Sequence, residues 1–68
     1  MERINVVSSN IKSIGHQQNM LEIEFKNSHI YLYHNVPKNI FFELMQAYSK
    51  GKYVSSNIKE RYSYRRIR

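Results

Sequence analysis

Cysteine and aspartate are both absent from the 68-residue chain, which has only two glycines and one proline. Without cysteine, neither a disulfide nor a thiolate-held metal can support the fold. The two glycines, Gly15 and Gly51, lie far apart, so there is no glycine-rich phosphate loop. No apolar run approaches the roughly 18 residues of a membrane span. The opening MERINVVSSN lacks the apolar segment of a signal peptide, which makes the cytoplasm the expected location. His16, His29 and His34 show no i, i+4 pairing and no HxH or HExxH spacing, so they read as surface or turn histidines. Glu22 and Glu24 share a strand face and read as exposed charges pairing with Lys or Arg, worth about 0–1 kcal/mol. No nucleophile–base constellation is present. No metal, cofactor or catalytic residue is expected, and the chain does not read as an enzyme.

What is present is a small apolar set and a segregated charge. A domain of this size buries only about 60% of the surface its unfolded chain exposes. Its core must rest on Ile, Leu, Val, Met, Phe and six tyrosines, and a buried tyrosine needs a partner for its hydroxyl. The net charge is +6, and all of it lies in the last third. Residues 50–68 hold Lys50, Lys52, Lys59, Arg61, Arg65, Arg66 and Arg68 against the single acid Glu60, whereas residues 1–49 balance to zero. A neutral globular part with a basic end points to a polyanionic partner.

The stretch Leu21–Val36 organises the chain. Leu21, Ile23 and Phe25 alternate with polar residues, a polar turn follows, and Ile30-Tyr31-Leu32-Tyr33 completes a β-hairpin. Ahead of it, Ile11–Gly15 reads as a first strand, with a bulge or an early end because Ile11 and Ile14 are three apart. His16–Asn19 is then a polar turn, and residues 1–7 are either an edge strand or a frayed tail. The hairpin register has two readings. A two-residue Asn27-Ser28 turn sets Phe25 opposite Ile30. A three-residue Asn27-Ser28-His29 loop sets Phe25 opposite Tyr31 and turns the tyrosines to the core. Asn35-Val36-Pro37 opens a helix with Asn35 as N-cap. Val36, Ile40, Phe41, Leu44, Met45 and Tyr48 form its apolar stripe, and Phe42 lies off it, toward the second helix. Ser49–Lys52 breaks the helix. Tyr53, Val54, Ile58 and Tyr62 are spaced for a second helix. The end, from Tyr62 on, reads equally as extended or helical. The expected fold is α+β: one domain over residues 1–68, with an antiparallel sheet of about three strands and one or two helices on one face.

The ordered set Val7-Ser8-Ser9-Asn10-Ile11, Ile14-Gly15, Leu21–Phe25, Tyr31-Leu32-Tyr33, Val36-Pro37, Ala47–Tyr53, Ile58-Lys59 and Tyr62 resembles the KTSC domain. That family is named for a module at the C-terminus of some lysyl-tRNA synthetases and also occurs as short free-standing bacterial proteins. The resemblance spans about residues 7–67. Its best-known mark, Tyr-x-Tyr followed by Val-Pro, falls on Tyr31, Tyr33, Val36 and Pro37. His16 departs from the pattern, which commonly has an aromatic there, and Val54-Ser55 stands where Phe-Asn is frequent. The resemblance implies no established activity; RNA binding has been suggested for the family. It also favours the register that turns both tyrosines to the core.

Two sites follow. Lys50, Lys52, Lys59, Arg61, Arg65, Arg66 and Arg68, with Tyr64 among them, are candidates to grip phosphates and stack on bases; the plainer reading is a solvated tail. Tyr31 and Tyr33 are either a base-stacking platform or, the preferred reading, core residues packed under the first helix. The expected function is a noncatalytic nucleic-acid-binding module, RNA before DNA because of the synthetase association. The alternative is a bacterial or phage regulatory protein whose basic end docks an acidic protein surface.

Overall fold

The computed structural model describes residues 1–68. Five strands form one antiparallel sheet in sequence order: β1 (Ile4–Asn5), β2 (Ile11–Gln17), β3 (Met20–Phe25), β4 (Ile30–Tyr33) and β5 (Tyr64–Arg66). Helices α1 (Lys38–Gln46) and α2 (Lys50–Asn57) lie between β4 and β5 in the chain and pack on one face. The α+β class and the central strands agree with the sequence reading. The sheet is wider than the three strands expected because both ends of the chain add a short edge strand. β1 pairs Ile4 with Ile14, and β5 pairs Tyr64 with Tyr33 and Arg66 with Tyr31. Neither edge has an apolar alternation to announce it; backbone pairing holds them.

The turns explain the registers. Gln18 and Asn19 join β2 to β3, both with positive φ (53° and 62°), as a two-residue turn between right-twisted strands requires. His16, expected in that turn, is therefore inside β2. The bulge anticipated between Ile11 and Ile14 is present as a register shift between Ile11 and Ser13. The β3–β4 loop matches neither expected length position: it is Lys26-Asn27-Ser28. The Phe25 N–H donates to the His29 carbonyl (2.9 Å), and Ser28 takes φ 76°, the left-handed position that closes a three-residue hairpin. Ile23 then pairs with Tyr31 and Leu21 with Tyr33. The partners differ from those expected, yet the tyrosines face the core side.

On the helix-covered face, Ile11, Ile14, Leu21, Ile23 and Tyr33 meet Val36, Leu44, Val54 and Ile58 in one buried cluster. Helix α1 begins later than expected. Asn35 is a left-handed turn residue (φ 59°), and Pro37 holds the N-cap position without a side-chain acceptor. Val36 fixes this entry, since its N–H donates to the Asn19 carbonyl and its own carbonyl lies 2.8 Å from His16 Nε2. The helix break also moves. Ser49 is the N-cap of α2, its hydroxyl accepting from the Lys52 N–H (3.4 Å), so Gly51 sits inside the first turn rather than in a loop. Tyr48, placed on the apolar stripe by spacing, is fully exposed because α1 ends two residues earlier. Phe42 turns outward, with Lys38 Nζ 5.5 Å from its ring centre, and does not pack on α2 as expected.

The other face is drier than its glutamates predicted. Glu24 is only 7% exposed. It accepts a hydrogen bond from Ser13 Oγ (2.8 Å) and one from Arg68 (3.0 Å). Arg3 reaches across to pair with Glu22 and donates to Ser13 Oγ. Ser13 and the surrounding cations hold the Glu24 carboxyl below the usual range. These two carboxylates therefore tie both edge segments, at Arg3 and Arg68, to the centre of the sheet.

Candidate functional site

A cleft of about 290 Å³ opens between the β3–β5 part of the sheet and α2. Its aromatic wall comes from alternate positions of adjacent strands, which point to one face. Phe25 meets Tyr31 edge-on (5.6 Å between ring centres), Tyr31 stacks with Tyr64 (5.3 Å, 19°), and Tyr64 lies 5.4 Å from Tyr33. Val54, Ser55 and Lys59 face them from the α2 side, and Asn10, Asn27 and His29 close one end. That end is fixed by the backbone: the Lys26 N–H donates to the Asn10 carbonyl (2.8 Å), drawing the start of β2 onto the hairpin loop.

The polar groups of the cleft are two amides, hydroxyls, His29 and the Lys59 ammonium. Asn10 Oδ1 accepts from Ser9 Oγ (2.8 Å), and Asn27 Oδ1 accepts from the His29 N–H (3.0 Å), so each amide oxygen holds one hydrogen bond and neither NH₂ has a partner within the protein. Tyr33 is 2% exposed, and burial, with Tyr64 and Tyr31 beside it, pushes its hydroxyl up to about 12, so it stays protonated. Its hydroxyl makes no hydrogen bond within the protein, and no polar side-chain atom is sealed away without a partner, so that hydroxyl is open to solvent and the residue lines the cleft.

The cleft continues past Asn10, Gly51 and Ser55 into a shallow trough lined only by polar residues and glycine, among them Ser49, Ser56 and Lys52. The lack of a side chain at Gly51 keeps the ridge between them low; a Cβ there would lie 3.6 Å from Asn10 Nδ2.

The basic residues do not form one patch. Lys59 and Tyr64 line the cleft, and Arg66, paired with Tyr31, shares its face of the sheet. Lys52 lines the trough. Arg65 pairs with Leu32 and points to the opposite face, where Arg68 is bound to Glu24. Lys50 Nζ donates to the Ala47 carbonyl at the end of α1 (3.1 Å). Arg61 is exposed beyond α2. Of the family-mark residues, Tyr33 and Val36 are buried, Tyr31 is half-buried, and Pro37 starts α1. Asn10, Asn27 and Ser55 were not legible as site residues. They come from three separate segments, and no spacing links them.

A small α+β domain with an aromatic-walled cleft is the class that fold and site define. The chain belongs to the KTSC domain family, whose model matches residues 7–62. It is similar to a KTSC domain protein from Yersinia pestis of known crystal structure, with 39% identity and a TM-score of 0.94 over 98% of this chain and 97% of that one. It is also 34% identical to a protein of Stutzerimonas stutzeri over 98% of this chain and 99% of the relative, and 34% identical to one of Tsukamurella paurometabola over 84% and 88%. No helix is long and apolar enough to cross a membrane.

Proposed function

We propose that this chain is a noncatalytic module that binds single-stranded nucleic acid, RNA before DNA, along the face that carries the cleft. The reading is supported by a cleft walled by Tyr31 and Tyr64 with Lys59 in its lining, Lys52 in the adjoining trough and Arg66 on the same face of the sheet. Cations beside exposed aromatics are how proteins hold single strands: the cations track phosphates and the rings stack on bases. Hydroxyl and amide groups along the trough offer partners for a ribose 2′-hydroxyl. Arg65 and Arg68 lie on the opposite face, so the contact is narrower than the full basic third. With three or four cations on phosphates, log K should fall with log salt at a slope of about −2 to −3.

The test is fluorescence anisotropy with labelled RNA and DNA oligomers across a salt series. Lys59→Glu with Arg66→Glu should weaken binding to all sequences and flatten the slope, whereas Arg65→Glu, on the far face, should change both much less. Circular dichroism controls for folding. Absence of binding by wild type even at low salt would defeat the reading and leave an acidic protein surface as the leading partner.

A further inference from the structure

Resting on the nucleic-acid reading, we propose that the cleft is a pocket for one unstacked, carbonyl-bearing nucleobase, with the Tyr33 hydroxyl and the Asn10 and Asn27 amides donating to its acceptors. The base lies against Tyr64 and Tyr31, and its phosphate sits toward Lys59.

Three independent features converge on this occupant. The first is shape. Alternate residues of neighbouring strands stand as flat rings along one wall, and Tyr64 keeps 51% of its surface exposed despite stacking on Tyr31. Such a wall takes a planar ring, and about 290 Å³ is at the small end of ligand cavities, suited to one ring system and not to a folded peptide.

The second feature is the sign of the hydrogen bonding. The Asn10 and Asn27 NH₂ groups have no protein partner and Lys59 has only donors, while Ser55 and the tyrosine hydroxyls work both ways. That surplus of donors matches a ligand rich in acceptors. Uracil's Watson–Crick edge offers two carbonyl acceptors flanking one N3–H, whereas adenine's offers one ring-nitrogen acceptor beside an amino donor, so a donor-rich site favours uracil.

The third feature is the Tyr33 hydroxyl itself. Its ring is buried in the core cluster, yet its hydroxyl is not sealed from solvent and the residue lines the cleft. A ligand carbonyl accepting from it would take the place of water.

The trough beyond Gly51 gives the rest of the nucleotide a path. Ser49, Ser55 and Ser56 carry hydroxyls toward it, and Lys52 lies beside them. A strand entering along the trough would reach the aromatic wall with its base turned inward.

The test is isothermal titration of the full chain with uridine 5′-monophosphate, adenosine 5′-monophosphate, ribose 5-phosphate and a short oligouridine. Uridine monophosphate should bind more tightly than adenosine monophosphate, and both more tightly than ribose 5-phosphate. Tyr33→Phe keeps the ring and removes one donor. It should weaken the uridine nucleotide about 3- to 10-fold while leaving the melting temperature and the salt slope unchanged. Tyr64→Leu, which keeps a large apolar side chain at an edge position, should weaken it by about tenfold or more through lost stacking. Equal binding of ribose 5-phosphate and uridine monophosphate would reduce the cleft to an anion site and overturn the proposal. So would equal or tighter binding of adenosine monophosphate, or indifference to both variants. The two readings fail separately. Binding of the mononucleotide without the oligomer keeps the pocket and defeats the single-strand function. Salt-dependent binding of the oligomer that ignores Tyr33→Phe and Tyr64→Leu defeats the pocket and keeps the function.

Discussion

Leu44→Ala should be close to the most damaging substitution the chain can carry, and the equally apolar-looking Tyr48→Ala should be silent. Leu44 is 0% exposed and is the only buried residue of α1. The other core-facing residues of the helix, Ile40, Phe41 and Met45, are only partly buried. Its N-cap makes no side-chain hydrogen bond, its first turn holds no acid, and its last turn holds no base. Removing the Leu44 side chain should cost about 2–5 kcal/mol through lost burial and a residual cavity. A chain of 68 residues at about 0.05–0.15 kcal/mol per residue has roughly 3–10 kcal/mol of stability to lose. With a urea m-value near ~1 kcal/mol/M, the midpoint should fall by roughly 2 M or more, or the variant should be unfolded at the outset. Tyr48 is fully exposed, so its truncation should stay within about 0.5 kcal/mol of wild type. The assay is urea denaturation followed by circular dichroism on all three proteins. A midpoint loss for Leu44→Ala no larger than that of Tyr48→Ala would show that α1 is not held through this residue.

Three further outcomes are expected. Gly15→Ala should destabilise by about 1–3 kcal/mol, because its Cβ would lie 2.5 Å from the Glu2 carbonyl oxygen and push β1 off the sheet; amide exchange should accelerate first at Ile4, Val6 and Ile14, on the β1–β2 ladder. Gly51→Ala should stabilise by about 0.4–1 kcal/mol, read as a higher midpoint, since Gly51 is helical with ordinary φ and the new methyl meets Asn10 at normal contact distance. Because the folded-state Glu24 carboxyl titrates below its ordinary 4.5, its contribution is present above that pH and is lost as pH falls through the depressed value. Acid titration of stability should therefore show a loss below about pH 4.5 that Glu24→Gln flattens.

How much of this was legible follows from what each element uses to hold itself. The inner strands and the core helix faces could be read because apolar alternation and helical spacing describe side-chain burial directly, as with Leu21, Ile23, Leu44, Val54 and Ile58. The edge strands were left open between strand and tail or helix, because Ile4-Asn5 and Tyr64–Arg66 are held by backbone pairing and by Arg3 and Arg68 reaching Glu22 and Glu24. The hairpin register turned on one residue, Ser28, adopting positive φ, a choice that serine does not advertise. Tyr48 shows the converse: a wheel assigns it to the stripe, but the helix stops before reaching it. For the site, Tyr31 and Tyr33 stood out by pattern, and Lys59 and Tyr64 by charge and composition. Their common cleft with Asn10, Asn27 and Ser55 exists only once β5 returns beside β4 and α2 lies over both.

The most direct measurement of the central claim is a titration of the isotope-labelled chain with a short single-stranded RNA at low salt, followed by amide chemical shifts. Saturable shifts are expected at Asn10, Asn27, Ser55, Lys59 and Tyr64, with Arg3 and Met20, away from the cleft, unmoved. Shifts confined to the Arg3–Glu24–Arg68 face, or no shifts at all, would contradict it.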